Sequence, residues 1–368
     1  LPVEMMSKWP DQPLALKGHA EGNMQHITLK NLHATLPSVF DISGTGWVSN
    51  LTDTDHLRAD LKIKGRTDNL DMITSMLPSD TRKKVRIPRG IGIDGSFNIN
   101  GPKYVADFTA SEGGGSIKVK GAVDINTMAY NLSASASNLQ LQHFLPGMSL
   151  NPFSGDIKAQ GHGTDFLNPK TGAKIAVNIR QFKFGDYRLD GIGGDINLAN
   201  GYLRANVNST NSMLGGKFDV TGRLLSNMAD LHIKGYINNA DLKQLGVVDK
   251  HYVITTDADL HVKSDMRENH TVEGKCRNFV LNEYHGKSSP VMLAKGDFDI
   301  EGMMRGKNIV AHFDGDINHA DLYAIGIVDS PFVTSFKANL DAKTNLNDEI
   351  EDLSSIFEFL CNFHNISI

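Results

Sequence analysis

Hydrophobic positions recur at every second residue along most of this chain. In residues 91–100, Ile91, Ile93, Phe97 and Ile99 share their parity with Gly95, opposite Asp94, Ser96, Asn98 and Asn100. Tyr104, Ala106, Phe108 and Ala110 then alternate with Asp107, Thr109 and Ser111, and Ile117, Val119, Gly121, Val123 and Ile125 alternate with Lys118, Lys120 and Asp124. The pattern returns at Phe218/Val220, Leu231/Ile233, Ile254/Ala258/Leu260/Val262, Phe298/Ile300, Ile309/Ala311/Phe313/Ile317 and Phe332/Phe336/Ala338/Leu340. A two-residue period with one polar face is the mark of half-exposed antiparallel strands. Asn100-Gly101, Asn200-Gly201 and the glycines 113–115 separate the runs at hairpin spacing. At about 8–12 residues per strand and turn, the chain is expected to hold roughly eighteen to twenty strands. Twisted open sheets rarely pass ~10 strands without curling or splitting, so the fate of the apolar face decides the architecture. A sandwich or barrel buries that face, whereas an elongated curled sheet leaves it lining a groove. Small residues on it (Gly121, Ala134, Ala136, Ala258, Ala311, Ala338) favour the groove.

An internal repeat points the same way. Gly235–Ser264 aligns without gaps to Gly315–Thr344 at an offset of 80, with 13 identities in 30. The shared letters include Ala240-Asp241-Leu242 with Ala320-Asp321-Leu322, and Gly246 with Gly326. Looser copies lie at Lys64–Pro78 and Ser133–Pro146. Each copy is a strand ending in a polar–Leu step, a short helical turn, then another strand. Such repeats stack so that each unit touches only its neighbours. The leucines concerned, Leu70, Leu139, Leu242 and Leu322, are unequally spaced, so the array is no strict solenoid.

Composition narrows the classes. Asp supplies 32 of the 42 acidic residues and Glu 10, beside 30 Asn and 35 Gly. Asp, Asn and Gly favour turns and left-handed backbone, whereas Glu is the better helix former, so a helical bundle is excluded. Lys+Arg of 37 and a formal charge of −5 lack the basic excess of a nucleic-acid binder. No apolar run reaches the ~18 residues of a spanning helix. The two cysteines, Cys276 and Cys361, make neither a disulfide framework nor a four-cysteine zinc site. After an irregular lead-in (1–13) and the repetitive body (14–346), residues 347–368 place Ile350, Leu353, Phe357 and Leu360 at helical spacing behind Asn347. That tail reads as a short amphipathic helix or as truncated, non-native sequence.

Candidate chemistry is sparse. The fourteen histidines form no HxH or HxxxH, and His19, His26, His33, His162, His232 and His261 sit singly among alternating residues, as ordinary strand or turn histidines. Asp314–Asn318 opens like a calcium loop, but the sixth place is His319 and the twelfth Ile325. Asp257/Asp259 and Asp297/Asp299 read as the wet side of a strand rather than a glycosidase pair. There is no GxSxG elbow, and Gly191-Ile192-Gly193-Gly194 is followed by a strand rather than the helix of a dinucleotide fingerprint. Cys276 reads as a small buried residue. No catalytic residue, metal ligand or cofactor site is nominated, and the chain is expected not to be an enzyme.

The succession of strand, Asn/Asp-Leu, helical turn and strand, in phrases such as IDGSFNING, GSIKVKGAVDI, ADLHIKGYINNADL and FDGDINHADL, resembles the AsmA-like and TamB (translocation and assembly module) proteins of Gram-negative envelopes. The likeness is nearest to the long TamB-like proteins of the Bacteroidetes and covers roughly residues 14–346. It implies an all-β fold, an elongated curled antiparallel sheet (a "β-taco") with short helical turns between repeats. It also implies a periplasmic location, an inner-membrane anchor, phospholipid transport toward the outer membrane and, with a TamA-like barrel partner, outer-membrane protein assembly. The chain opens at Leu1-Pro2 without signal peptide or anchor, and so reads as an internal fragment. Three functions follow: a hydrophobic conduit for phospholipid acyl chains, a scaffold offering strand edges to outer-membrane proteins, and a structural or adhesive β-repeat with a filled core. For the conduit, parity selects the lining as Ile93, Phe97, Ile99, Phe108, Val119 and Val123, then Phe218, Val220, Leu231, Ile233 and Leu260, then Phe298, Ile300, Phe313, Phe336 and Leu340.

Overall fold

The computed structural model describes residues 12–23, 25–71, 86–286 and 289–345; the helix expected within 347–368 and the helical turn expected after Leu70 fall outside them. The chain is all-β. Among the described residues, nineteen strands are antiparallel sheet strands in an arrangement not closed into a barrel, and two compact units divide the chain near residues 165–190.

The first unit carries β1 (Ala15–Asn23), β2 (His26–Leu36), β3 (Phe40–Ser49), β4 (Arg58–Thr67), β5 (Gly92–Asn100), β6 (Lys103–Glu112), β7 (Gly115–Asp124), β8 (Ala129–Leu139) and β9 (Phe153–His162). Each pairs antiparallel with the next in sequence. β10 (Gly172–Gln181) pairs with β9, and a two-residue pair, β11 (Lys183–Phe184) and β12 (Tyr187–Arg188), follows. Tight turns make this meander possible. Gly113 and Gly114, both at positive φ, join β6 to β7, the geometry that matches the twist of paired strands.

The second unit continues with β13 (Ile192–Ala199), β14 (Tyr202–Thr210), β15 (Leu214–Leu225), β16 (Met228–Asp241), β17 (Tyr252–Ser264), β18 (Asn269–Glu283), β19 (Val291–Arg305), β20 (Asn308–Asp321) and β21 (Val333–Asn345). Every consecutive pair is again antiparallel. Asn200-Gly201 makes the β13–β14 turn with both residues at positive φ, as its sequence predicts. Phe332 lies one residue before β21 and is exposed, so it does not extend that strand's apolar set.

A β-bulge precedes the polar–Leu step in both close copies of the repeat. In β16 two residues, Asn238 and Asn239, separate partners Ile237 and Ala240, while one residue separates Thr256 and Ile254 on β17. The same extra residue occurs in β20 between Ile317 and Ala320, and in β18 between Cys276 and Phe279. In the first unit it occurs in β2 between Leu29 and Leu32 and in β8 between Ala136 and Leu139. Each of these five bulges contains an Asn: Asn31, Asn138, Asn238 with Asn239, Asn278, and Asn318. Three of them, Asn31, Asn138 and Asn278, hold positive φ, which Asn tolerates better than other residues with a Cβ. The extra residue reverses parity, so the apolar residue beyond it returns to the apolar face.

That reversal sets up the helical turns. Past the bulge in β20, Asp321 caps α2 (Leu322–Ile325), its carboxylate accepting from Ala324 N at 3.0 Å, and Gly326 closes it at φ 92°. Asp241 does the same after β16, accepting from Gln244 N at 3.1 Å, and Gly246 ends that turn at φ 72°. α1 (Leu141–Phe144), after Leu139, has no side-chain cap; its His143 Nδ1 instead lies 2.8 Å from the buried Glu112 Oε1. In the second unit these turns cover the strand ends. Val248 and Ile325 join Tyr252, Leu281, Leu293 and Ala294 in a fully buried cluster, with Leu242 and Ile254 against it.

Candidate functional site

The register carries the predicted apolar residues into rows that cross the strands. In the first unit one row runs Ile63, Gly95, Phe108, Val119, Ala134 and Ile157; the next runs Leu61, Phe97, Ala106, Gly121, Leu132 and Ala159. Ile93, Ile99 and Val123 flank these on the same face. In the second unit a row runs Val220, Ile233, Leu260, Gly274, Ile300, Phe313 and Leu340. Beside it lie Phe218, Gly235, Ala258, Cys276, Phe298, Gly315 and Ala338. Leu231 and Phe336 belong to that face as well. All sixteen parity-selected residues thus lie on the apolar face of their own unit.

They are neither sealed nor bare. Val123 is 38% exposed, and the other described lining side chains are half-buried. The rings cover one another: Phe97 stacks on Phe108 at 5.6 Å, and Phe298 meets Phe313 edge-on at 6.0 Å. The small positions have a specific use. A Cβ on Gly95 would lie 2.3 Å from Phe108 Cβ, one on Gly235 2.8 Å from Phe218 Cδ1, and one on Gly315 2.5 Å from Phe298 Cβ. Glycine therefore seats a neighbouring strand's phenylalanine against the sheet. Two hollows in the first unit, each about 560 Å³, lie on the other side. One is lined by Lys62, Lys64, Asp94 and Asp107, the other by Lys118, Lys120, Asp156 and Lys158.

The opposite face is wet and paired. Lys64 reaches Asp94 at 3.1 Å, Lys120 reaches Asp107 at 3.5 Å and Lys234 reaches Asp259 at 3.0 Å, all across strands. Exposed pairs of this kind contribute ~0–1 kcal/mol each, so they specify the face more than they stabilise it. The acids two apart have separate partners. Asp297 accepts from Asn278 N at 2.7 Å, Asp257 from Asn278 Nδ2 at 2.8 Å, and Asp299 pairs with Arg277. The Asp156 carboxyl is held below its ordinary range, first by the Ser135 hydroxyl and also by Arg180. Cys276 is half-buried in mid-strand, and burial pushes its thiol up, away from a reactive thiolate.

Two histidines that look solitary in the sequence meet on this face. His232 of β16 stands directly opposite His261 of β17, their rings stacked at 4.0 Å and 12°. His261 Nε2 lies 2.6 Å from Asp230 Oδ1, and its Nδ1 lies 3.0 Å from Glu273 Oε1 on β18. The Asp230 carboxyl is held below its ordinary range, chiefly by that hydrogen bond. The ligand atoms of Asp230, His232 and His261 all lie within 4.8 Å of one another. Sequence spacing missed this group because β16 and β17 are joined by residues 242–251, a connection whose length fixes no register. Three of the other solitary histidines have ordinary partners: His19 lies 2.7 Å from Glu21, His26 2.6 Å from Ser49 Oγ and His33 2.8 Å from Ser43 Oγ.

No family model, curated protein or solved structure matches the chain.

Proposed function

We propose that this chain is a non-enzymatic part of an AsmA/TamB-type envelope protein, receiving phospholipid acyl chains on the apolar face of each unit. The supporting observation is that the large residues of the rows, Phe97, Phe108, Phe298 and Phe313 among them, remain half-buried. The fully buried cluster sits beyond the bulges instead. A packed core draws such side chains fully out of water, whereas this face retains apolar surface to offer. Each acyl methylene shielded by it gains ~0.8 kcal/mol, enough over several carbons to hold a chain while the ion-paired face stays in water. On this reading the full protein works in the periplasm, anchored in the inner membrane, and hands lipid toward an outer-membrane barrel partner.

Photo-crosslinkers at Phe97 and Phe313 are expected to capture phospholipid, while ones at Asn98 and Asp314 on the exposed polar face are not. Phe313→Asp is expected to block lipid passage with the fold intact, because a half-exposed site can hydrate one carboxylate. Equal labelling of both faces, or global unfolding by that substitution, overturns the proposal.

A further inference from the structure

The geometry points to a transition-metal site on the polar face of the second unit: we propose that Asp230, His232 and His261 bind one divalent ion of the zinc and copper class. Asp230 and His232 are two residues apart on β16 and so share a face, and the register sets His261 across from His232. Two imidazoles and a carboxylate are a donor set for zinc, copper or nickel, not for calcium or magnesium, which take oxygen. A tetrahedral zinc with bonds of ~2.0–2.1 Å wants donors ~3.3 Å apart. The donor atoms already lie within 4.8 Å of one another, and a turn of the exposed His232 ring out of its stack on His261 aims both imidazoles at one ion.

A supporting residue is already in place. Glu273 stands opposite His261 on β18, and His261 Nδ1–H donates to its carboxylate at 3.0 Å. With an ion bound, that bond keeps the proton on Nδ1 and leaves the Nε2 lone pair for the metal, the carboxylate–histidine–metal arrangement of many metalloproteins. An ion there takes the place of the His261 Nε2–Asp230 Oδ1 contact, any proton on Nε2 passing to solvent, and takes His232 as its third protein ligand. The site is accessible, since His232 is exposed and the side chains of His261 and Asp230 are 20% and 38% exposed. Its fourth position opens to solvent. Arg223 and Lys263, opposite Asp230 on β15 and β17, oppose the charge of Asp230 and Glu273, which favours an exchangeable ion over a permanently held one. Binding joins β16 to β17 by side chains as well as backbone. The proposal does not rest on the lipid reading.

The test is titration of the full chain with Zn²⁺ and Cu²⁺ after chelator treatment, with thermal unfolding run in parallel. One saturable equivalent is expected, with a higher unfolding temperature in the presence of Zn²⁺. His232→Ala and His261→Ala should each weaken binding at least about tenfold and remove the thermal shift. Glu273→Gln should weaken it by ~10–100-fold without changing the stoichiometry. His312→Ala, at the separate His312–Asp341 pair, should leave binding unchanged. Bound Cu²⁺ should show two imidazole nitrogens in its electron paramagnetic resonance spectrum. Because His232 is exposed, His232→Ala keeps the test sound even where His261→Ala fails to fold. Absence of a saturable equivalent, survival of that equivalent in His232→Ala, or its displacement by millimolar Ca²⁺ would overturn the assignment.

Discussion

Asparagine and glycine do more in this protein than make turns. Among the described residues, five of the eight non-glycine residues at positive φ are Asn, and three of those five sit in bulges inside strands. The abundance of Asn is plain in the sequence, but its use in bulges is not, because a bulge is defined by the partner strand. Glycine divides in the same way. Gly95 serves a close approach: a methyl there would also lie 2.5 Å from Phe108 Cα and 2.6 Å from the Asp107 carbonyl oxygen, which cannot rotate away. Gly95→Ala is therefore expected to destabilise the chain by about 1–3 kcal/mol. Gly147→Ala, with nothing within 4 Å, should change it by less than ~0.5 kcal/mol. Denaturant midpoints of the two variants against the parent measure the difference. A glycine that gives room to a neighbouring ring is legible only once Gly95 is known to face Phe108.

At the scale of elements, the strands were legible and their alignment was not. Alternation is a property of one strand, and so Ile93 to Ile99 or Ile309 to Phe313 declare themselves without a partner. The repeat was legible too, since Asp-Leu at the start and Gly at the end of the helical turn are local capping signals. Its two copies differ in what the cap holds. Asp321 caps a turn whose first carboxylate contact is a single backbone N–H, and Asp321→Ala should cost ~1 kcal/mol. Asp241 is 2% exposed and also takes Gln244 Nε2 at 2.6 Å and faces His251 Nε2 at 2.8 Å. Asp241→Ala leaves those groups without their acceptor and should cost more, ~2–3 kcal/mol. Thermal unfolding of the two single variants orders them, and the reverse order would mean that the caps are not equivalent devices in different surroundings. His232 and His261 show the other side of this limit: two residues on neighbouring strands are neighbours only after the register is known.

For the molecule as a whole, parity decides which side chains can act together. The apolar rows themselves carry no charged residue, while Lys, Asp and His accumulate on the other face, so the proposed lipid-receiving rows and the proposed metal site lie on opposite faces of β16 and β17. Because strands pair in chain order, each hairpin leans mainly on the two beside it. The equivalence of β16 and β20 then has a practical consequence. Gly235 and Gly315 face Phe218 and Phe298 in the same way, and each is followed at the same distance by its bulge, its Asp cap and its turn. Joining Lys234 directly to Gly315 removes eighty residues, yet gives β15 the same sequence of partners, a glycine, an isoleucine two places on and an alanine after the bulge, and gives β21 the strand end it already has. The shortened chain should fold, with a strand-type circular dichroism spectrum and a cooperative unfolding transition, whereas a splice displaced by one residue should not, since it would turn every apolar side chain beyond the junction to water. A sheet built this way is divisible: its length can be edited in whole modules, as a chain of links is shortened, and the bulges mark where to cut.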